Sequence, residues 1–151
     1  MNDSTHLPGE YVAALVVRRS IRATPERLFE AWTDPKHLVQ WWGPEGVACP
    51  EAHVDLRPGG AYRIANRFPD GSLIWISGVF EIVERPNRLV YSWRLSVGAG
   101  APERVSVTFT RTGAETEVVV THERIPDEAT KKQHEHGWHG CLDGLRLYLA
   151  A

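Results

Sequence analysis

Histidine has the widest chemical reach of any side chain near neutral pH, as acid, base or metal ligand, and this chain holds 7 of them. His136 and His139 stand three residues apart with Glu135 and Asp143 nearby, a spacing that could share a metal on one helical face. A solvated polar face explains the same four residues, so no metal is expected. His122 and His134 differ from that pair, because both fall on the apolar side of the element that carries them. An inward imidazole is ordinarily a hydrogen-bonded core group. Beside a cavity it could instead contact a ligand or act as a general base, which makes His122 and His134 the candidates for catalysis.

The other reactive groups point to less. Asp55 and Glu81 are outward by strand parity and have Arg57, Arg63 and Arg94 as salt-bridge partners, so they receive no acid-base role. Cys49 and Cys141 are far apart in sequence and match no metal or redox spacing, which fits free thiols in a reducing cytoplasm. Cys141 falls on an apolar stripe and reads as packing. No Ser-His-Asp order is present, and Gly98-Ala99-Gly100 lacks the further glycine and the strand-to-helix context of a phosphate loop, so no cofactor is expected.

His134 must be positioned by the last stretch of the chain, Asp127 to Ala150, which reads as one helix. At ~1.5 Å per residue it would span roughly 35 Å, enough to cross a small sheet. From Trp138 onward, Cys141, Leu142, Leu145, Tyr148 and Leu149 recur at three- and four-residue steps and form the anchoring stripe. Followed backward, that face carries His134, Lys131 and Thr130, a change from core-like to wet that predicts a pocket mouth. Gly137, Gly140 and Gly144 lie beside the stripe, each costing roughly 1 kcal/mol relative to alanine. Close packing against the sheet is the first explanation; space for a ligand and a contact in a homodimer are the others.

The strands precede that helix. Tyr11 to Ile21 reads as the first, and Thr24-Pro25 and Asp34-Pro35 each start a short helix. Ala52, Val54 and Leu56 alternate with polar residues, and Pro58-Gly59-Gly60 turns the chain into Ala61 to Phe68, with Tyr62, Ile64 and Phe68 on one face. In Leu73 to Glu84 the inward set is Ile74, Ile76, Gly78, Phe80 and Ile82, with Gly78 marking a bulge or bend. Leu89, Tyr91, Trp93 and Leu95 follow, then Val105, Val107 and Phe109, then Val118, Val120 and His122. Strands joined by short turns, with helices segregated to one face, make an α+β domain with an antiparallel sheet.

A chain of 151 residues fits one domain, expected from Tyr11 onward after a flexible Met1 to Glu10. With 17 basic and 19 acidic side chains the net charge is -2, too little field to gather nucleic acid or anionic lipid. No signal peptide pattern or long apolar run is visible, so neither export nor a membrane is expected and the location is cytoplasmic. The 6 tryptophans must fill the core or line a cavity.

Arg22-Ala23-Thr24-Pro25-Glu26-Arg27-Leu28-Phe29, Trp32-Thr33-Asp34-Pro35, Trp41-Trp42-Gly43-Pro44, Asp55-Leu56-Arg57-Pro58-Gly59-Gly60 and Ser77-Gly78-Val79-Phe80-Glu81-Ile82, closed by the Trp138 helix, resemble the AHSA1-like family. The likeness runs from Tyr11 to Ala150. It implies the START-like, SRPBCC helix-grip fold, in which a curved antiparallel sheet of about six to seven strands wraps a long C-terminal helix and often leaves a cavity. A small hydrophobic ligand is then expected between sheet and helix, lined by Trp42, Tyr62, Ile76, Phe80, Tyr91, Trp93, Val107, His122, His134 and Trp138. Two rival readings come with the resemblance. One is an enzyme similar to the superfamily's cyclases and hydratases, with His122 or His134 as base; the other is a partner of an Hsp90-type chaperone, and with it a stress response.

Overall fold

The computed structural model describes residues 11–97 and 100–150. The segment expected to be flexible, Met1 to Glu10, lies outside the described residues, as do Gly98, Ala99 and Ala151. The elements are β1 (Leu15–Ile21), α1 (Pro25–Thr33), α2 (Pro35–Trp41), β2 (Ala52–Val54), β3 (Ala61–Arg67), β4 (Leu73–Glu84), β5 (Arg88–Leu95), β6 (Glu103–Thr112), β7 (Glu115–Glu123) and α3 (Glu128–Ala150).

Each helix begins where a side chain meets an orphan backbone N–H. Thr24 Oγ1 accepts from Arg27 N at 3.1 Å, Asp34 Oδ1 from Lys36 N at 2.9 Å, and Asp127 Oδ1 from Thr130 N at 2.8 Å. The strands form one 7-stranded sheet in the order β1-β7-β6-β5-β4-β3-β2, antiparallel throughout. From β2 to β7 neighbours in sequence are neighbours in space, whereas β1 crosses to the far edge and pairs with β7, Leu15 opposite His122. The sheet curves, and α3 packs across one face of it, against β1 at the edge and against α2. The core between them is buried throughout, with Phe29 meeting Phe109 edge-on at 6.3 Å and Leu142 and Leu145 fully enclosed.

The local expectations fail in three places. The first strand starts at Leu15, because residues 11–14 leave the ladder after Val12 N donates to Ile125 O. In β4 the bulge falls at Glu81, between the pairs Phe80–Tyr91 and Ile82–Val90, so Val83 takes the core face opposite Leu89 and Ile82 leaves it. Gly78 has another reason to be glycine: a Cβ there would run into the Ser92 carbonyl of β5. The third exception is Trp75, which neither fills the core nor lines a cavity. It lies under the Arg63 guanidinium at 4.9 Å and beside the His53 ring.

The remaining tryptophans form one cluster between the helices and the sheet. Trp32 stacks on Trp138 at 6.0 Å, and Trp42 and Trp93 approach Trp138 at 5.7 and 5.5 Å. Trp41 joins through Trp32 at 5.3 Å. Among the described residues no helix is long and apolar enough to cross a membrane.

Candidate functional site

His134 and Trp138 are one helical turn apart on α3, so both face the sheet. Opposite them, β7 contributes His122 and β6 contributes Glu103. His122 pairs with Val105, and Glu103, two residues earlier on the same face of β6, sits diagonally across from it. A single carboxylate oxygen, Glu103 Oε1, accepts from His122 Nε2 at 2.7 Å and from His134 Nε2 at 2.8 Å. The two imidazoles stack with centroids 4.4 Å apart and planes 17° from parallel.

The proton positions follow from the donors. Indole Nε1 can only donate, and Trp138 Nε1 lies 3.0 Å from His122 Nδ1, so that nitrogen accepts and the His122 proton is on Nε2. His122 is therefore held neutral, with both nitrogens committed and no free lone pair to act as a base. Burial, at 0% exposure, lowers its pKa, and the opposing pull of the Glu103 hydrogen bond does not reverse this. For Glu103 the balance is opposite. Burial raises its pKa, but the hydrogen bonds from His122 and His134 outweigh it and bring the carboxyl down to about 2. His134 is left with one uncommitted nitrogen, since its Nδ1 makes no hydrogen bond among the described residues.

Glu103, His122 and His134 bring three ligand-type atoms within 4.8 Å of one another, a cluster to be tested for a metal. A metal-bound imidazole keeps a proton on its other nitrogen and donates it to an acceptor. Here the second nitrogen of His122 faces a donor, Trp138 N–H, which has the wrong polarity. The cluster is built for hydrogen bonding. His139 is occupied elsewhere, its Nδ1 2.9 Å from Arg19 Nη2, while Arg19 Nε holds Asp143 at 3.0 Å.

A cavity of about 150 Å³ lies against this cluster, between α3 and the strands β3, β4 and β5. Its walls are Trp42, Pro44, Asn66, Phe68, Ile74, Ile76, Trp93, Leu95, Gln133, His134, Gly137, Trp138 and Cys141. Of the residues expected to line a site, Trp42, Ile76, Trp93, His134 and Trp138 are here. Tyr62, Phe80 and Tyr91 surround, with Trp42 and Trp93, a separate void of about 20 Å³, room for about one water. The two tyrosine hydroxyls are already engaged, Tyr62 donating to Ser92 O at 2.7 Å and Tyr91 accepting from Trp32 Nε1 at 3.3 Å. Val107 is core and lines neither space, and His122 lies behind Trp138.

Sequence reasoning missed Glu103, although Val105 and Val107 share its parity and placed it inward. It missed Asn66 for a different reason, since an amide in a strand signals nothing until its partners are known. Asn66 accepts from Trp42 Nε1 at 3.0 Å and donates to Ile64 O and Ile74 O at 3.3 Å each. The three helix glycines prove to be unlike one another. A Cβ on Gly140 would stand 2.6 Å from Pro44 Cβ and one on Gly144 3.2 Å from Trp41 O, whereas one on Gly137, at the cavity wall, would meet nothing within 4 Å.

The sequence profile of the activator of Hsp90 ATPase homolog 1-like proteins matches residues 22–150. The fold is similar to a crystal structure from Chromobacterium violaceum, at 26% identity and TM-score 0.82, covering 89% of this chain and 94% of that one. It is also similar to the AHSA1 protein of Silicibacter pomeroyi, at 27% identity and TM-score 0.82, covering 91% and 98%. An AHSA1-like protein of Aeromonas hydrophila, solved in solution, aligns at 25% identity and TM-score 0.76 over 91% and 92%. No curated protein matches the chain.

Proposed function

The chain belongs to the activator of Hsp90 ATPase homolog 1-like family, and on that premise we propose that it binds a small apolar or amphipathic molecule between α3 and the sheet. The observation that carries the reading is the cavity of about 150 Å³, walled by Trp42, Trp93, Trp138, Ile74, Ile76 and Leu95. Apolar cavities of roughly 150 Å³ stay dry and accept molecules the size of benzene, so the ligand body is about one ring. Aromatic walls supply affinity through buried area, and the few polar groups orient what enters.

The protein should be stabilised by ligands of this size and not by larger ones. Thermal unfolding is to be followed with benzene, toluene, indole and a two-ring control such as biphenyl. A saturable rise in Tm with the one-ring compounds is expected, growing with concentration as binding to the folded state requires. If none of them raises Tm at any soluble concentration, the binding reading is wrong.

A further inference from the structure

Resting on that reading, we propose that the ligand carries one weakly acidic hydroxyl, as a phenol does, and that His134 Nδ1 accepts its proton while Glu103 holds the imidazole from behind. The polar atoms of the cavity wall decide this by elimination. Asn66 is spent on Trp42 and on two backbone carbonyls, and the Trp138 N–H is spent on His122. Gln133 is an exposed residue at the rim. His134 Nδ1 is the acceptor nitrogen left to meet a ligand, because the Nε2–H is fixed on the carboxylate at 2.8 Å, and Trp93 Nε1 is the donor left beside it.

That geometry sets the chemistry of the partner. The ring is anchored through N–H to a carboxylate, so an imidazolium formed by a proton on Nδ1 is paired at once with the anion behind it. A ketone or ether has no proton to offer, and an ammonium ion would bring its charge into an apolar space where His134 Nδ1 has no proton to lose in exchange. A weakly acidic hydroxyl avoids both problems. Its O–H bond breaks, an N–H bond forms on Nδ1, and the electron pair stays on the ligand oxygen beside the new cation. The same oxygen has lone pairs to offer Trp93 Nε1, the buried side-chain polar atom that lacks a partner among the described residues, on a ring 6.0 Å from that of His134. The titratable groups that touch His134 are Glu103 from β6 and His122 from β7; Trp93 from β5 carries no charge.

4-Nitrophenol tests the proposal, because its anion and its neutral form differ in colour, with nitrobenzene as the partner probe that fills the same space without a hydroxyl. The full chain is titrated with each at a pH where the free phenol is mostly neutral. The bound phenol is expected to show the phenolate band. His134→Gln and Glu103→Gln should both remove that band and weaken phenol binding roughly tenfold or more, as loss of a charge-assisted hydrogen bond does, a larger loss than either variant causes for nitrobenzene, which has no proton to give. Glu103 acts as a positioning residue, and the colour of the bound phenol reads its effect on proton transfer. The spectrum of the unaltered chain decides the matter even if a variant fails to fold. Nitrobenzene bound as tightly as the phenol, with the bound phenol neutral, overturns the proton-accepting role and leaves the binding reading intact. If neither compound binds, both fall.

Discussion

The two halves of α3 sit on the same sheet by opposite means. From Trp138 to Leu149 the helix is pressed home, with Leu142 and Leu145 fully buried, Gly140 admitting Pro44 at a distance no side chain allows and Gly144 bringing the Trp41 carbonyl into tight contact. Arg19 of β1 ties this half down again through Asp143 and His139. From Thr130 to Gly137 the contacts are polar and directional, and beside Gly137 the space is left open. One half spends its small residues on closeness, the other on room. A glycine in a helix therefore has no meaning until the facing surface is known.

This contrast can be broken most sharply by truncation. Leu142→Ala is expected to cost about 2–5 kcal/mol in denaturant unfolding, the range for an enclosed leucine. His134→Gln, which keeps a donor for Glu103, should cost no more than about 1 kcal/mol. Equal losses at the two sites would mean that both halves carry the fold alike.

Acid tests the polar half next. The folded-state pKa of Glu103 is held below its ordinary value of 4.5, at about 2, so the unfolded chain takes up its proton first as pH falls. The stability from this carboxylate is complete above pH ~4.5 and lost between there and pH ~2, about 3 kcal/mol at most. His122 has the same sign: its folded pKa is lowered from 6.5, so its contribution is whole above that pH and fades below it. Unfolding measured against pH should show stability falling from near pH 6.5 downward, and Glu103→Gln should flatten the part below pH ~4.5. A wild-type profile that stays level from pH 7 to 3 would remove the cluster from the energetics of the fold.

The smallest and most discriminating comparison is between neighbouring glycines. Gly137→Ala should raise stability by up to ~1 kcal/mol, since helix propensity improves and nothing is struck. It should also weaken binding of one-ring ligands by filling the wall. Gly140→Ala should do the reverse, losing about 1–3 kcal/mol as Pro44 is forced away. Thermal unfolding of the two variants with and without toluene separates the outcomes, and a loss of stability at both positions would erase the distinction drawn between the halves.

Much of this was legible beforehand, and the pattern of success is physical. Period-two alternation in β6 and β7 placed Val105, Val107, Val118, Val120 and His122 correctly because neither strand is interrupted. The caps Thr24, Asp34 and Asp127 declared the helices. The extra residue at Glu81 was invisible, since a bulge changes parity without changing composition, and it exchanged the faces of Ile82 and Val83. The candidate site was half legible. His134 and Trp138 follow from one helix and its period. Their meeting with Glu103, Asn66 and the emptiness beside Gly137 depends on the angle at which α3 crosses the sheet, which no local pattern encodes.

The crossing of β1 to the edge beside β7 has a consequence in time as well as in space. Leu15 pairs with His122, so the first strand waits for the last before the sheet is complete. Pairings this distant in sequence close a long loop and form late, after the local hairpins of β2 through β7. The cavity is bounded by α3, which follows β7 in the chain, and α3 is docked in part onto β1 through Arg19. The cavity is therefore closed only by the last element of the fold, which itself rests on the first.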